Sequence, residues 1–389
     1  MPPDATQPSS LPPSSLPPSP ARPPAPAARW RVLLAFVLVA MVTQLLWLNF
    51  APLLVDIEAR YRVDELTASM LVLPFPLLYV LLSLPSGRLI DRLGYRKVVG
   101  AGALVSAAGS LLRLDTAHFA SLVAGQVVIA LAQPFVVNGI SKLVADWFQD
   151  EEAALATGLG TVGMFLGMAV GLASTPALVA GIGLKATMGV NAAVAFAAAG
   201  LWFLLCRERG TAEAVAPSPW RELLANRGLR LSVVLALLGL GYFNGLTTWL
   251  EQLLAPRGLD AEQAGAVGGV VVLGGIVGAI VVPLLADHLR VRRLPLILCV
   301  AVAAAANLWM AAAGSYGELL LSGALLGFAF MPAFALLLTM TGESVPAHDN
   351  GVATGLLMLA GNGGAVVVLL LSPPPGAGAA TGPGRCWWA

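Results

Sequence analysis

Gly87-Arg88-Leu89-Ile90-Asp91-Arg92-Leu93-Gly94-Tyr95-Arg96-Lys97 is a strip of charge and glycine between two apolar runs, at roughly 67–87 and 98–114. Cations crowded into a short connection between uncharged segments mark the loop that joins two membrane helices. A purely topological anchor would need only the bases. It would leave Asp91 and the glycines at 87 and 94 unexplained. A carboxylate among Arg92, Arg96 and Lys97 at a helix end can pair with a neighbouring helix and with its dipole. Such a contact can latch one conformation and release in another.

Outward from this strip the apolar runs continue. A helix crossing the hydrocarbon core takes about 20 residues. Runs of that kind fall at roughly 31–54, 67–87, 98–114, 119–141, 155–180 and 185–206, and then at 230–254, 264–286, 294–314, 317–341 and 350–371. That predicts eleven spans. Composition agrees, with 58% of residues hydrophobic and 11% charged, well under half the charge of a soluble domain. Residues 1–30, rich in Pro, Ser and Ala, read as a disordered tail, because they hold little to bury. The first apolar run is long enough to span and is not a cleaved leader.

The basic residues orient the chain. With the N-terminus in the cytoplasm, 16 of the 22 Lys and Arg fall on the inside, and 5 (Arg60, Arg62, Arg113, Lys185 and Arg257) fall outside. The net charge of +1 gives nucleic acid nothing to bind. Three cysteines and three histidines at wide spacing form neither a disulfide framework nor a metal site. No cofactor loop, nucleophile–base pair or nucleotide motif occurs, so no catalytic residues are expected. The expected partners are a small-molecule substrate and the lipid bilayer, with one copy of the chain sufficing.

The sequence also repeats itself. Asp91 corresponds to Asp287 at an offset of 196, and Val63-Asp64-Glu65 to Leu259-Asp260-Ala261 at the same offset. Gly125 and Pro134 correspond to Gly323 and Pro332 at 198, and Ala156-Thr157-Gly158 to Ala353-Thr354-Gly355 at 197. Ordered matches at a near-constant offset indicate a parallel duplication of a six-helix unit. The expected architecture is therefore all-α and integral to the membrane. It has an N-terminal bundle at 31–206, a linker at 207–229, a second bundle at 230–371 with its sixth helix missing, and an irregular tail at 372–389. In the second copy of the charged strip, Asp287 with Arg290, Arg292 and Arg293, topology alone accounts for the residues.

Within the spans, polar groups must face protein or water. Trp47 and Asn49 in the first span and Gln133 in the fourth are candidates for a substrate cavity; the Trp47 ring offers a cation–π surface worth about 2 kcal/mol when desolvated. An interfacial belt or interhelical packing is the plain alternative for Trp47, and interhelical hydrogen bonding for Gln133 and Asn138. No acid lies near the centre of any span, which argues against proton coupling. Asp56 and Glu251, at an offset of 195, stand at the outer ends of spans one and seven, where they form either a solvated rim or a mouth that concentrates cations. Gly163-x-x-x-Gly167-x-x-x-Gly171 and Gly274-x-x-x-Gly278 are small-residue faces suited to close packing and rocking.

The strip at 87–97 resembles the G-x-x-x-D-R-x-G-R-R/K signature of major-facilitator transporters. Gln44-Leu45-Leu46-Trp47-Leu48-Asn49-Phe50, Ala132-Gln133-Pro134, Ser141 to Phe148, Glu343 to Pro346 and Gly351 to Leu357 resemble the feline leukaemia virus subgroup C receptor family, linked to choline, ethanolamine and haem transport. That resemblance implies an aromatic cage and two glutamines in a central cavity; the matching positions here are Trp47, Gln133 and Asn362, the last an asparagine in place of glutamine. The cage tyrosine of span seven falls near Thr248, next to Trp249. It further implies a plasma-membrane carrier working by alternating access, with an organic cation as cargo. An exporter of amphipathic or haem-like compounds and a receptor-like or inactive chain are the alternative expectations.

Overall fold

The computed structural model describes residues 26–209, 218–254, 257, 259 and 261–371. The tail expected at 372–389, residues 1–25 of that at 1–30, and residues 210–217 of the linker lie outside the described residues. The described residues are helical throughout, with no strand among them. In a bilayer only the helix satisfies every backbone group within one segment. The elements are α1 (Pro26–Leu48), α2 (Leu54–Tyr61), α3 (Glu65–Ser69), α4 (Pro74–Leu93), α5 (Tyr95–Leu112), α6 (Phe119–Val137), α7 (Gly139–Trp147), α8 (Asp150–Leu205), α9 (Trp220–Leu223), α10 (Arg227–Leu254), α11 (Ala261–His288), α12 (Arg293–Ala312), α13 (Tyr316–Glu343) and α14 (Asn350–Leu371).

Nine helices among the described residues are long and apolar enough to cross a membrane, against the eleven runs expected. Two physical reasons account for the difference. The fifth and sixth runs are joined in α8, a 56-residue helix that turns at Gly183, whose φ of 83° and ψ of 161° lie outside the helical region. Glycine takes that conformation without the Cβ penalty. The third run is α5, only 18 residues long, whose first turn carries Arg96 and Lys97 and dilutes its apolarity. It nonetheless lies packed between α6 and α8.

The helices gather into two matched groups. In the first, α1 runs along α8, and α5 packs on α6 and α8; in the second, α11 runs along α13, α10 along α14 and α12 along α13. Between the groups, α4 meets α14 and α8 meets α11. The stripe Gly163, Gly167 and Gly171 faces α1: a Cβ on Gly167 would sit 2.0 Å from the Met41 carbonyl oxygen. Gly274 and Gly278 face α13 in the same way. Both stripes therefore weld helices inside one group, which corrects the expectation that they are surfaces of rocking. The close approaches between groups are made at Gly87, whose Cβ would lie 2.1 Å from the Gly351 carbonyl oxygen, and at Gly158, whose Cβ would lie 2.3 Å from that of Ala279.

Candidate functional site

Two structural features occupy the junction between the groups. The first is the charged strip. Asp91, near the end of α4, reaches the N-terminus of α14, where its two carboxylate oxygens accept from the backbone N–H of Gly351 (2.7 Å) and of Val352 (2.8 Å). The first turn of a helix leaves N–H groups without intrahelical partners and carries the positive end of the dipole, so a carboxylate is the natural cap. Gly87 permits this approach, since any side chain there would strike the Gly351 backbone. Gly94 ends α4 at φ 86°, and its chain neighbour Tyr95 begins α5.

The cations of the strip divide. Arg96 donates through Nε to the Cys206 carbonyl at the end of α8 (2.8 Å), and its backbone N–H donates to Glu208 (3.2 Å). Burial pushes the Glu208 carboxyl above its usual range, while Arg96 and Lys97 pull the other way. Arg92 and Lys97 are exposed.

Asp287 holds the equivalent place in the second half. Its oxygens accept from the N–H of Ala154 (3.3 Å) and Leu155 (2.7 Å) at the start of α8, and Arg292 pairs with it at 2.6 Å. Arg292 also bridges to Glu343 (3.0 Å). Topology alone therefore does not account for the second strip. Ala154 and Leu155 stand 197 residues before Gly351 and Val352, so each group caps a helix of the other by one pseudo-symmetric contact. The sequence hid this because Pro283, His288 and Arg290 stand where the first strip has Gly87, Arg92 and Gly94, although Arg292 and Arg293 keep the places of Arg96 and Lys97 at the offset of 196. We call the side carrying both contacts the Asp91 face.

The second feature is a cavity of about 80 Å³ where the groups meet, lined by α1, α4, α6, α8, α10, α13 and α14. Trp47, Gln133 and Asn362 line it together, as does Gln44. Gln133 donates to the Gln44 carbonyl oxygen at 3.2 Å. The Trp47 ring stacks on Phe75 with centroids 5.7 Å apart and planes 23° off parallel. Its indole Nε1 is buried with no hydrogen-bond partner in the protein. Asn362 turns its amide to the Met358 carbonyl (2.9 Å), one turn back along α14. The lining carries no Asp, Glu, Lys, Arg or His, in keeping with spans that lack central acids.

Several lining residues escaped the sequence reading. Asn244 stands on α10, and Phe165 from α8 meets Phe243 from α10 edge to face (6.3 Å) across the junction. Phe243 in turn stacks flat on Phe330 (4.5 Å, 8°). Their periodic spacing reads as ordinary apolar helix face, so no sequence signal sets them apart. Asn49 is not in the lining: it is completely buried in the first group, and neither amide atom has a partner. The Asn49 N–H still donates to the Leu45 carbonyl (3.0 Å) as in a helix, and a residue two positions on from Trp47 stands about 200° round it, away from the face Trp47 occupies. Asn138, at the break between α6 and α7, ties Tyr79, the Ser83 carbonyl and Ser86 together, so it is a packing residue. Asp56 is exposed on α2. The side chains of Thr248, Trp249 and Glu251 lie outside the described residues.

Two matched helical groups, clasped at one face by carboxylate caps and holding an uncharged cavity between them, define a two-bundle membrane protein of the solute-carrier type. The chain belongs to the Major Facilitator Superfamily, whose family model matches residues 32–369. It is 29% identical over 288 residues to "Solute carrier family 49 member A3" of Danio rerio, covering 67% of this chain and 59% of that one. It is 24% identical over 280 residues to "Choline/ethanolamine transporter flvcr2b" of Danio rerio, covering 65% and 58%. The chain thus spans less than two thirds of the length of these two relatives. The solved structure of the human organic anion transporter MFSD10 superposes with a TM-score of 0.77 at 18% identity, covering 92% of this chain and 96% of that one. At that identity the likeness is one of fold.

Proposed function

We propose that the protein is a carrier of a small organic solute, working by alternating access at the Trp47 cavity, with a quaternary or primary ammonium alcohol such as choline or ethanolamine as cargo. The observation that carries this reading is the Trp47 ring in an uncharged, amide-studded cavity at the junction, with its Nε1 unpartnered. An indole face attracts a cation most strongly when both are desolvated, and the amides of Gln44, Gln133, Asn244 and Asn362 can serve a hydroxyl. The printed names of relatives such as the choline/ethanolamine transporter of Danio rerio support the same class of cargo.

In this reading the two rocking units are residues 31–206 and 230–371, each a single copy, and the Asp91 and Asp287 caps hold the cytoplasmic side closed. The excess of Lys and Arg on that side supports a cytoplasmic N-terminus, and the plasma membrane is the proposed location. Facilitated movement fits a cavity whose lining holds no Asp, Glu, Lys, Arg or His.

The test is labelled choline and ethanolamine uptake in cells expressing the chain, beside cells carrying Trp47→Ala and Trp47→Phe. Uptake above background that Trp47→Ala reduces at least tenfold and Trp47→Phe largely retains is the expected result. Uptake equal to that of empty cells would sink the cargo. Uptake unchanged in Trp47→Ala would sink the cage.

A further inference from the structure

We propose that a second cavity, on the Asp91 face, is a binding site for a small primary ammonium compound. This cavity encloses about 170 Å³ and shares no lining residue with the Trp47 cavity. The first group forms one wall, with Ser141 of α7 and Thr157 of α8; the second forms the other, with Thr339 and Gly342 of α13 and Asn350 of α14. It lies beside both caps. Asn350 directly precedes the two N–H groups that Asp91 holds, and Thr157 stands two residues beyond those held by Asp287.

Two buried polar atoms carry the argument. Ser141 is 6% exposed and Asn350 2%, yet Ser141 Oγ and Asn350 Oδ1 have no hydrogen-bond partner in the protein. The large majority of buried side-chain polar atoms find a partner, because leaving one unmade costs its full desolvation. From opposite groups these two residues approach Gly342. A Cβ there would lie 3.6 Å from Asn350 Oδ1 and 3.9 Å from the Ser141 Cβ, so the glycine leaves open the space between them.

The walls select the ligand. The Thr157 and Thr339 hydroxyls donate to the carbonyls of Ala153 (2.9 Å) and Ala335 (3.1 Å), one turn back, so a ligand finds in them only acceptors. Asn350 Oδ1 and Ser141 Oγ accept as well, and the carboxylates of Asp150 and Glu343 complete the polar lining, which holds no Lys, Arg or His. The nearby cations are engaged: Lys142 donates to the Ala347 carbonyl (2.8 Å) and pairs with Asp146, and Arg292 pairs with Asp287 and Glu343. The positive ends of α8 and α14 are already met by Asp287 and Asp91. Such a wall suits a cation rich in N–H donors. A primary ammonium has three; a quaternary one has none. Among the described residues no group of three or more His, Cys, Asp or Glu could hold a metal ion, and Val144 and Leu338 offer an alkyl body apolar contact. A ligand here touches both groups only while this face is closed, so by linkage it favours that state. That consequence rests on the alternating-access reading; the site itself does not.

The test is calorimetric titration of the full chain, in phosphatidylcholine nanodiscs, with ethylammonium. Excess choline is present throughout: it has no N–H donor for this site, and it competes away any ammonium binding at the Trp47 cavity. The expected result is saturable binding of one ethylammonium per chain, unchanged by Trp47→Ala and weakened at least fivefold by Ser141→Ala and by Gly342→Ala. Ser141→Ala removes a hydroxyl without a partner, and Gly342→Ala adds a methyl at ordinary contact distance. Neither should lower the unfolding midpoint, which establishes that both fold. Saturating ethylammonium should also slow labelling of cavity cysteines from the Asp91 face. Nanodiscs containing phosphatidylethanolamine separate two sources of the same group: weaker ethylammonium binding there assigns the site to the lipid headgroup, and equal binding assigns it to a free amine. No saturable binding by folded chain, equal binding by both site variants, or loss of binding in Trp47→Ala would overturn the proposal. So would sodium competing as well as ethylammonium, which would make an inorganic cation the occupant. Choline uptake through the Trp47 cavity is read separately and stands or falls on its own.

Discussion

Asp91 is one carboxylate that meets two backbone N–H donors on another helix, and its value lies in that geometry rather than in charge alone. An asparagine there keeps the size but presents only one acceptor oxygen, and it loses the attraction to the α14 dipole. Asp91→Asn is expected to weaken the closed arrangement by about 1–2 kcal/mol. Cysteine labelling at positions on the Asp91 side of the cavity should rise severalfold; unchanged labelling would remove the latch role. The residue scale is also where the sequence was least readable. Trp47 and Gln133 could be picked out because each is a large or polar group at membrane depth. Phe165 and Phe243 could not, because an aromatic at apolar helical spacing looks the same whether it faces lipid, core or cavity.

At the scale of elements, the distinction that matters is which glycines touch another helix. Gly167 has the Met41 carbonyl 2.0 Å from where its Cβ would stand, whereas Gly200 on the second limb of α8 has nothing within 4 Å. Gly167→Val should therefore separate α1 from α8 and lower stability by about 2–3 kcal/mol. Gly200→Ala should raise stability by about 0.5–1 kcal/mol, through helix propensity alone. Thermal unfolding in detergent distinguishes them: if the two substitutions shift the midpoint in the same direction, the packing assignment is wrong. The helices themselves were legible, since a run of some 20 apolar residues has one stable form in lipid. Their ends were less so. The fifth and sixth runs join through Gly183, and the fourth breaks at Asn138 into α6 and α7, because local backbone geometry, not hydropathy, decides where a helix turns.

For the whole molecule, the two caps are related by the repeat, Asp91 on α14 and Asp287 on α8. Each joins one group to the other, so both must part if that face opens. The pair Asp91→Asn with Asp287→Asn is expected to raise labelling of cavity cysteines from the Asp91 face beyond either single variant. In the uptake assay it should shift KM and maximal rate together. A double variant no more accessible than Asp91→Asn would mean that Asp287 serves only its pairing with Arg292. The sequence by itself determined the membrane-spanning all-helical class, the duplication, and the first charged strip, because each is written in hydropathy, periodicity or a fixed offset along one chain. The tertiary structure decided that Asp287 caps α8 despite its degenerate surroundings, that Asn49 is buried away from the cavity, and that the glycine stripes bind within a group. These depend on which helix lies opposite, a relation between residues distant in sequence that no local pattern records.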